Sequence, residues 1–278
     1  MESSIDRVKA YYDENAEHEW LRLETHPFEF IFTTYMMEQS IKPGERILDI
    51  GGGPGRYAIH FSKFGCDVTL VDLSDANVRF ARQKADEAGV SFRAYTKNCL
   101  DLDELQLGQF DHVFLMGPLY HLLDREEQVK AVKAALGHLK TGGKLYVSFI
   151  QIFAAILFDL KCGGNIIRDS TGAETKSLID SIETGGDYCG TAFTSACFFN
   201  QRNILPFMER FPLKKLHFFG QEGILAPNEP DILTRDPEEI DCWISIAKRY
   251  LELPELFALS EHIMYIGEKT ADKISSPQ

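Results

Sequence analysis

Residues 47–57 read Ile-Leu-Asp-Ile-Gly-Gly-Gly-Pro-Gly-Arg-Tyr, and this stretch decides the fold. Its apolar start, with Asp49 as the one carboxylate, is typical of a buried parallel strand. Four glycines within five positions then indicate a turn whose backbone comes close to a ligand. An apolar pattern with helical spacing resumes at Tyr57. The order of strand, glycine turn and helix predicts a site for a nucleotide-like cofactor.

The chain continues this alternation on both sides of the stretch. Apolar periodicity and turn residues predict strands at residues 46–50, 67–72, 91–95, 110–116, 144–150, 213–219 and 262–267. Besides the helix after the glycine turn, helices are predicted at residues 75–88, 124–139, 202–210 and 236–260. Strands that alternate with helices predict an α/β fold with a parallel sheet and helices on both of its faces.

The pattern divides the chain into four segments. Residues 1–40, with predicted helices at 5–23 and 29–39, are expected to form an N-terminal helical lid. Residues 41–150 contain the glycine turn and the regular alternation, and we interpret them as the cofactor-binding core. The alternation stops at residue 151, so residues 151–200 are expected to be an insertion that forms part of a substrate lid. Residues 201–278 would complete the core sheet.

Composition excludes several classes of function. The chain has 278 residues, a formal net charge of −13 and no run of five basic residues. This balance argues against nucleic acid and against an anionic membrane surface as partners. The N-terminus lacks the features of a secretory signal, and the longest apolar stretch, residues 149–160, is too short to span a bilayer. We therefore expect a cytoplasmic protein, while its oligomeric state is not predicted.

The six cysteines, at positions 66, 99, 162, 189, 197 and 242, are scattered and form no C-x-x-C pair. This spacing favours reduced thiols and predicts neither a disulfide framework nor a zinc site. We expect no bound metal.

The glycine turn fits one class of cofactor better than another. A dinucleotide-binding fold uses Gly-x-Gly-x-x-Gly, in which the third glycine lets helix and strand pack closely. Gly51 and Gly53 supply the first two glycines, but Arg56, whose side chain we expect to be solvated, occupies the third position. The other pattern is Asp49-x-Gly51-x-Gly53-x-Gly55. Its leading carboxylate suits a cofactor that bears an ammonium group.

Residues 49–55 resemble the first motif of class I S-adenosylmethionine-dependent methyltransferases. Three further motifs of that family are matched in the same order, at residues 71–74, 98–102 and 110–121. Residues 139–145 are similar to the family's usual junction between a helix and the fifth strand. The resemblance implies a Rossmann-like, seven-stranded, mostly parallel sheet whose last strand is antiparallel. Two segments, residues 11–15 and 117–121, further resemble a bacterial subgroup of the methyltransferase type 11 and 12 group.

The resemblance implies S-adenosylmethionine as the cofactor and gives each matched position a role. The backbone of Gly51, Gly53 and Gly55 would lie against the amino-acid part of the cofactor, and Asp49 would lie near its ammonium group. Asp72 would accept hydrogen bonds from both ribose hydroxyls, since a carboxylate has two acceptor oxygens.

The other parts of the cofactor are expected to meet residues further along the chain. Leu73 and the loop containing Asn98 and Cys99 would enclose the adenine, with the Asn98 amide oxygen as an acceptor for the adenine amino group. Met116 and Gly117 would face the methionine part. Tyr12, on the first helix, could fold over the cofactor or only pack in the helix core.

Tyr120 and His121 are the candidate catalytic residues, because they follow the strand end where the reacting atom of the substrate should lie. Histidine suits proton removal near neutral pH, although a histidine at this place can also be only a scaffold group. The predicted function is in-line methyl transfer to a small-molecule acceptor. Two alternatives stay open: a non-catalytic S-adenosylmethionine-binding regulatory protein, and a nicotinamide-dependent oxidoreductase.

Overall fold

The computed structural model of the protein describes residues 3–164 and 171–271. Its helices are α1 (Ser4–Thr25), α2 (Pro27–Glu38), α3 (Arg56–Lys63), α4 (Asp75–Ala88), α5 (Arg125–Gly137), α6 (Ala154–Cys162), α7 (Ala173–Thr184), α8 (Gln201–Met208), α9 (Glu229–Ile232) and α10 (Pro237–Lys248). Its strands are β1 (Arg46–Ile50), β2 (Asp67–Asp72), β3 (Arg93–Thr96), β4 (Phe110–Leu115), β5 (Leu139–Ile150), β6 (Tyr188–Thr191), β7 (Ser195–Phe198), β8 (Leu213–Gly220) and β9 (His262–Lys269). Short 3-10 helices cover Cys99–Leu105, Pro118–His121, Gly223–Asn228 and Pro254–Leu259.

Seven strands form one sheet in the order β3-β2-β1-β4-β5-β9-β8. Strands β1 to β5 pair in parallel, and β9 runs antiparallel to both of its neighbours. The predicted seven-stranded, mostly parallel sheet with an antiparallel last strand is confirmed. After β1 the chain adds β2 and β3 toward one edge of the sheet, and it then crosses back to place β4 on the other side of β1. Sheets of this kind bind ligands at such a switch point, outside the carboxyl ends of the strands.

The central strands are apolar on both faces because helices cover both faces. Leu48 and Val113 contribute to a core on the side of α5 and α8, whereas Ile47 and Phe114 contribute to a core on the side of α2, α3 and α4. Successive strand residues point to opposite faces, so a sheet buried on both sides needs a nearly continuous apolar run. This is why the strand before the glycine turn can be recognised in the sequence.

Two predicted bounds differ from the structure by more than two residues. β5 begins at Leu139, not at residue 144, because Leu139 already pairs with Phe110 in β4. The predicted helix at 236–260 ends as α10 at Lys248, and the chain resumes as a 3-10 helix at Pro254. A single helix over residues 236–260 would have to pass through Pro254, which lacks the N–H for a helical hydrogen bond. No helix in the described ranges is long and apolar enough to cross a membrane.

The segment after β5 contains α6, α7 and a separate hairpin of β6 and β7. Cys189 and Cys197 lie opposite each other in this hairpin, with their Cα atoms 4.0 Å apart, and form a disulfide. The prediction of six reduced thiols is therefore wrong for this pair. Antiparallel pairing brought together two cysteines eight residues apart, and their spacing alone gave no signal. The other four cysteines are free thiols.

Substituting Gly51 is expected to destabilise the fold more than substituting Gly44. Both glycines have positive φ, +73° and +87°, so alanine costs roughly 1–2 kcal/mol at either position. A Cβ on Gly51 would also lie 2.3 Å from Cδ of Pro118, whereas a Cβ on Gly44 would meet nothing within 4 Å. Overpacking should add about 1–3 kcal/mol to the loss for Gly51→Ala. Urea unfolding of both variants measures the difference, and equal losses would contradict this close approach.

Candidate active site

A cleft lies at the carboxyl ends of β1, β2 and β4, with α1 across it. The structure brings these sequence-predicted residues to its wall: Tyr12, Asp49, Gly51, Gly53, Asp72, Leu73, Asn98, Cys99, Met116, Gly117, Tyr120 and His121. Gly55 does not line the cleft. It precedes α3 with a φ of +86°, and a Cβ there would lie 2.9 Å from Cβ of Ala81 on α4, so this glycine lets two helices approach.

The buried carboxylate of Asp72 fixes the glycine turn. Its Oδ2 accepts a hydrogen bond from the Gly53 N–H (2.9 Å). Its Oδ1 accepts from the Ser74 N–H (2.8 Å) and from Nδ2 of Asn77 (3.2 Å). Burial raises the pKa of Asp72, and these hydrogen bonds oppose the rise. A carboxylate offers about four acceptor positions, so three are used inside the protein and about one stays open toward the cleft.

Asp49 is buried without any hydrogen bond in the described part of the chain, and its Oδ2 is wholly shielded from solvent. Burial raises its pKa to about 7, and the nearby negative charge of Asp72 contributes to the rise. Buried polar groups are nearly always partnered, and a carboxylate without a partner is costly in this setting. Asp49 is therefore placed to receive a positively charged group from the cleft.

The loop after β3 differs in detail from the prediction. Oδ1 of Asn98 accepts a hydrogen bond from the Leu100 N–H (3.0 Å) and so caps the following 3-10 helix. An amide oxygen has a second lone pair, which leaves one position for a ligand. Cys99 is buried and burial raises the pKa of its thiol to about 12, as suits a small apolar neighbour.

Three groups form a hydrogen-bonded chain at the far end of the cleft. The Nδ1 atom of His121 lies 2.8 Å from the backbone oxygen of Ser195, which can only accept, so Nδ1 carries the proton. Nε2 then accepts from the hydroxyl of Tyr12 at 2.7 Å. Burial lowers the pKa of His121 to about 4, so the ring is neutral at neutral pH. Its basic nitrogen reaches the cleft through Tyr12.

Charged and polar side chains that sequence reasoning missed line the same end of the cleft. They are Glu19, Arg22, Glu29, Ser148 and Gln221. Arg22 and Glu29 form an ion pair with 2.6 Å between Nη1 and Oε2. No motif marks these residues, since three lie in the N-terminal helices and the others at β5 and after β8. Only the fold brings them together.

Arg56 is not solvated as expected. Its guanidinium lies 3.7 Å from the ring centroid of Trp20, donates to the Trp20 backbone oxygen and pairs with Glu24. Asp13, which lies on α1 like Trp20, accepts a hydrogen bond from the hydroxyl of Ser74 at 2.6 Å. Both contacts hold α1 on the glycine turn and on α4, so α1 covers the cleft.

The part of the chain that forms this site is similar in sequence to known proteins. The sequence model of the family described as Methyltransferase domain matches residues 47–143. The ubiquinone biosynthesis O-methyltransferase of Xanthomonas axonopodis pv. citri (strain 306) is 29% identical over 150 residues. That match covers 54% of this chain and 62% of the relative, so the chain spans less than two thirds of the relative's length.

Solved structures share the fold. Magnesium protoporphyrin IX methyltransferase from Synechocystis PCC 6803, with bound S-adenosylhomocysteine, aligns with a TM-score of 0.59 and 12% identity, over 96% of this chain and 100% of that one. The [4+2]-cyclase SpnF aligns with a TM-score of 0.54 and 17% identity, over 87% and 81%. The structural alignments support the fold, but identities this low do not identify the reaction. Residues 47–143 therefore match the methyltransferase-domain family, and the chain has the fold of the class I S-adenosylmethionine-dependent methyltransferases.

Proposed function

We propose that the protein binds S-adenosylmethionine and transfers its methyl group in line to a small-molecule acceptor held in the same cleft. The observation that carries the proposal is Asp49, a buried carboxylate without a partner beside the glycine turn. The cofactor's ammonium group would supply the missing charge and hydrogen bonds. A pyrophosphate would place negative charge against this carboxylate, which disfavours a nicotinamide cofactor.

The residues present fit the rest of the cofactor. Besides Asp49, Asn77 at the cleft wall has a buried side-chain oxygen with no hydrogen-bond partner among the described residues. Unsatisfied buried oxygens around one cleft support a polar ligand. Asp72 keeps about one open acceptor position for a ribose hydroxyl, and Asn98 keeps one for the adenine amino group.

Bound S-adenosylmethionine would supply a methyl group on a sulfonium, which is already a good leaving group. The chain then has to orient the nucleophile and exclude water. The cover formed by α1 suits exclusion of water, and its closure over the cleft favours a small acceptor over a macromolecule. We propose that Tyr120 and His121 line the acceptor end. Removal of a proton by His121 would pass through the hydroxyl of Tyr12, because that hydroxyl occupies Nε2.

We propose the cytoplasm as the location, where small-molecule acceptors and the methyl donor are available. The disulfide between Cys189 and Cys197 counts against this location, because disulfides persist mainly in oxidising compartments.

Asp49→Asn is expected to stabilise the ligand-free protein at pH 8 by up to about 4 kcal/mol, which corresponds to the rise in the pKa of Asp49 from 3.8 to about 7. Between these pH values the folded protein binds a proton that the unfolded chain has lost, so this contribution to stability falls as the pH rises. The stability gain of the variant should therefore be near zero at pH 4. Urea unfolding across this range measures it, and a gain that is independent of pH would contradict the assignment.

The same substitution is expected to weaken binding of S-adenosylhomocysteine at pH 8 by about 10- to 100-fold, since a hydrogen bond to a charged group contributes about 1.5–3 kcal/mol. The affinity of the wild-type protein should rise between pH 6 and pH 8 as Asp49 loses its proton, and the variant should lose this dependence. Isothermal titration calorimetry measures both.

Asp86→Asn is the matched control, because Asp86 is an exposed aspartate on α4 outside the cleft. Titrations with NADH and NADPH serve as parallel arms. Absence of S-adenosylhomocysteine binding by the wild-type protein, or tighter binding of a nicotinamide cofactor, would overturn the proposed function. Binding without turnover of any acceptor would favour the non-catalytic alternative.

A further inference from the structure

The hairpin of β6 and β7 lies against the histidine of the candidate site. The backbone oxygen of Ser195, in β7, accepts a hydrogen bond from Nδ1 of His121 at 2.8 Å. Phe193, in the turn between the two strands, has its ring centroid 5.8 Å from that of His121 and 5.7 Å from that of Tyr11 on α1. Both ring pairs are edge-to-face, an arrangement in which aromatic rings attract each other. The hairpin therefore contacts both α1 and the end of the cleft that contains His121.

The first half of α1 covers the cleft, and a kink separates it from the second half. The kink lies at Asn15, whose φ of −118° and ψ of 18° are not helical. Val8 and Tyr12, before the kink, line the cleft. The second half has an anchor of its own, because the guanidinium of Arg56 stacks on Trp20. The first half can therefore respond separately to the contacts that hold it.

Contacts of three kinds hold the first half of α1 in place. Asp13 accepts a hydrogen bond from the start of α4, and Tyr12 donates to Nε2 of His121 at 2.7 Å. The third contact is the ring pair of Tyr11 and Phe193. Phe193 is 48% exposed, so the body of the protein does not fix its ring from the other side. This third contact therefore depends on the conformation of the hairpin.

The disulfide between Cys189 and Cys197 closes the hairpin just before its end. Beyond it lie residues 190–196, here called the hairpin tip, which include Phe193. Two of the four paired positions of the hairpin lie within the tip. A ladder this short is marginally stable by itself in water. The disulfide is the covalent constraint that keeps the two strands of the tip together.

The rest of the protein holds the two strands unequally. β7 is buried along its whole length. In β6, by contrast, Cys189 and Thr191 are exposed. The base of β6 is held by the buried ring of Tyr188 and by Asp187, whose Oδ1 accepts a hydrogen bond from the Asn200 N–H at 2.8 Å. Beyond this base, the disulfide is the strongest link between β6 and the buried strand.

We propose that the disulfide between Cys189 and Cys197 is a thiol switch that sets how tightly the first half of α1 closes over the cleft. In the disulfide form, the hairpin tip presents Phe193 to Tyr11 and His121. In the dithiol form, the exposed strand can separate from β7, and the ring of Phe193 loses its fixed position. The inference goes beyond the proposed function, because it concerns access to the cleft and not the reaction inside it.

The switch operates by thiol–disulfide exchange with a protein dithiol. A thiolate of that dithiol attacks Sγ of Cys189, the exposed partner, and the bond between the two sulfurs of the hairpin breaks. Cys197 leaves as a thiolate and takes up a proton. The second thiolate of the dithiol then attacks the mixed disulfide and releases Cys189, which is protonated in turn. Two electrons pass to the hairpin, and the external dithiol becomes a disulfide. Oxidation is the reverse.

A switch of this kind also fits the proposed location. Structural disulfides persist mainly in oxidising compartments, whereas disulfides in the cytoplasm are usually transient and catalytic or redox-sensing. The hairpin disulfide has one exposed cysteine and lies beside the candidate active site. Both features suit a sensing role.

Hydrogen–deuterium exchange of the ligand-free protein tests the switch, after oxidation with diamide and after reduction with dithiothreitol. We expect the hairpin tip and residues 4–14 to exchange about 2- to 10-fold faster after reduction, because an opening equilibrium changes by this factor when an aromatic pair is lost. Residues 17–25, beyond the kink, and β4 are expected to keep their exchange rates. Affinity for S-adenosylhomocysteine is expected to fall by a similar factor, because the cleft lies under α1.

Three variants separate the switch from other effects of reduction. In its disulfide form, Phe193→Ala is expected to speed exchange of residues 4–14 as reduction does in the wild type, and reduction is then expected to add nothing there. Cys189→Ser is expected to match the reduced wild type under both conditions. Cys242→Ser is the matched control, because Cys242 is an exposed free cysteine on α10, and this variant is expected to respond as the wild type does.

Alkylation followed by mass spectrometry establishes the state of the cysteines in each sample. The switch is overturned if Cys189 and Cys197 stay unpaired after oxidation, or if residues 4–14 exchange equally in both states. Equally faster exchange in β4 would assign the disulfide to overall stability instead. Unchanged affinity in wild-type protein that binds S-adenosylhomocysteine would also overturn control of the cleft. Failure to bind S-adenosylhomocysteine in either state would reject the proposed function, whereas the exchange comparison would still decide the switch.

Discussion

The site depends on the carboxylate of Asp72 and the three hydrogen bonds that it accepts. Gly53 belongs to the turn after β1, while Ser74 and Asn77 belong to the start of α4, so one side chain fixes the segments that follow two adjacent strands. Ser74 in turn donates through its hydroxyl to Asp13 on α1. The position of the covering helix therefore follows from the carboxyl end of β2. A carboxylate is needed here because all three groups that meet it are donors.

The fold also buries a second carboxylate, that of Asp49, and this burial lowers the stability of the folded protein. Asp49 lies one strand away from Asp72, and its pKa rises because it is buried and because Asp72 carries the same charge. Proteins often accept such a local loss of stability where a ligand will compensate it. The charge of Asp49 is left for a cation that the described part of the chain does not provide.

The sequence predicts what depends on local pattern. The glycine turn, Asp72 at the end of its strand and the parallel sheet follow from apolar periodicity and from the glycines, and the structure contains them as expected. Contacts between distant segments escape such reasoning: Tyr12 and His121 are 109 positions apart, and no motif links them. Arg56 was expected in solvent because its partner, Trp20, lies on another helix. The disulfide depends on a hairpin register that six scattered cysteines do not reveal.

The two ends of the cleft differ in what can be learned from relatives. The family match covers residues 47–143, which include Asp49, Asp72 and the loops that would hold the methyl donor. Glu19 and Glu29 precede this range and Glu222 follows it, so the acceptor end is built mostly from segments that the family model does not describe. Similarity to an O-methyltransferase therefore informs the donor half of the site and carries little weight for the acceptor. The side chains that α1 and α2 bring to the cleft are therefore the stronger guide to the acceptor.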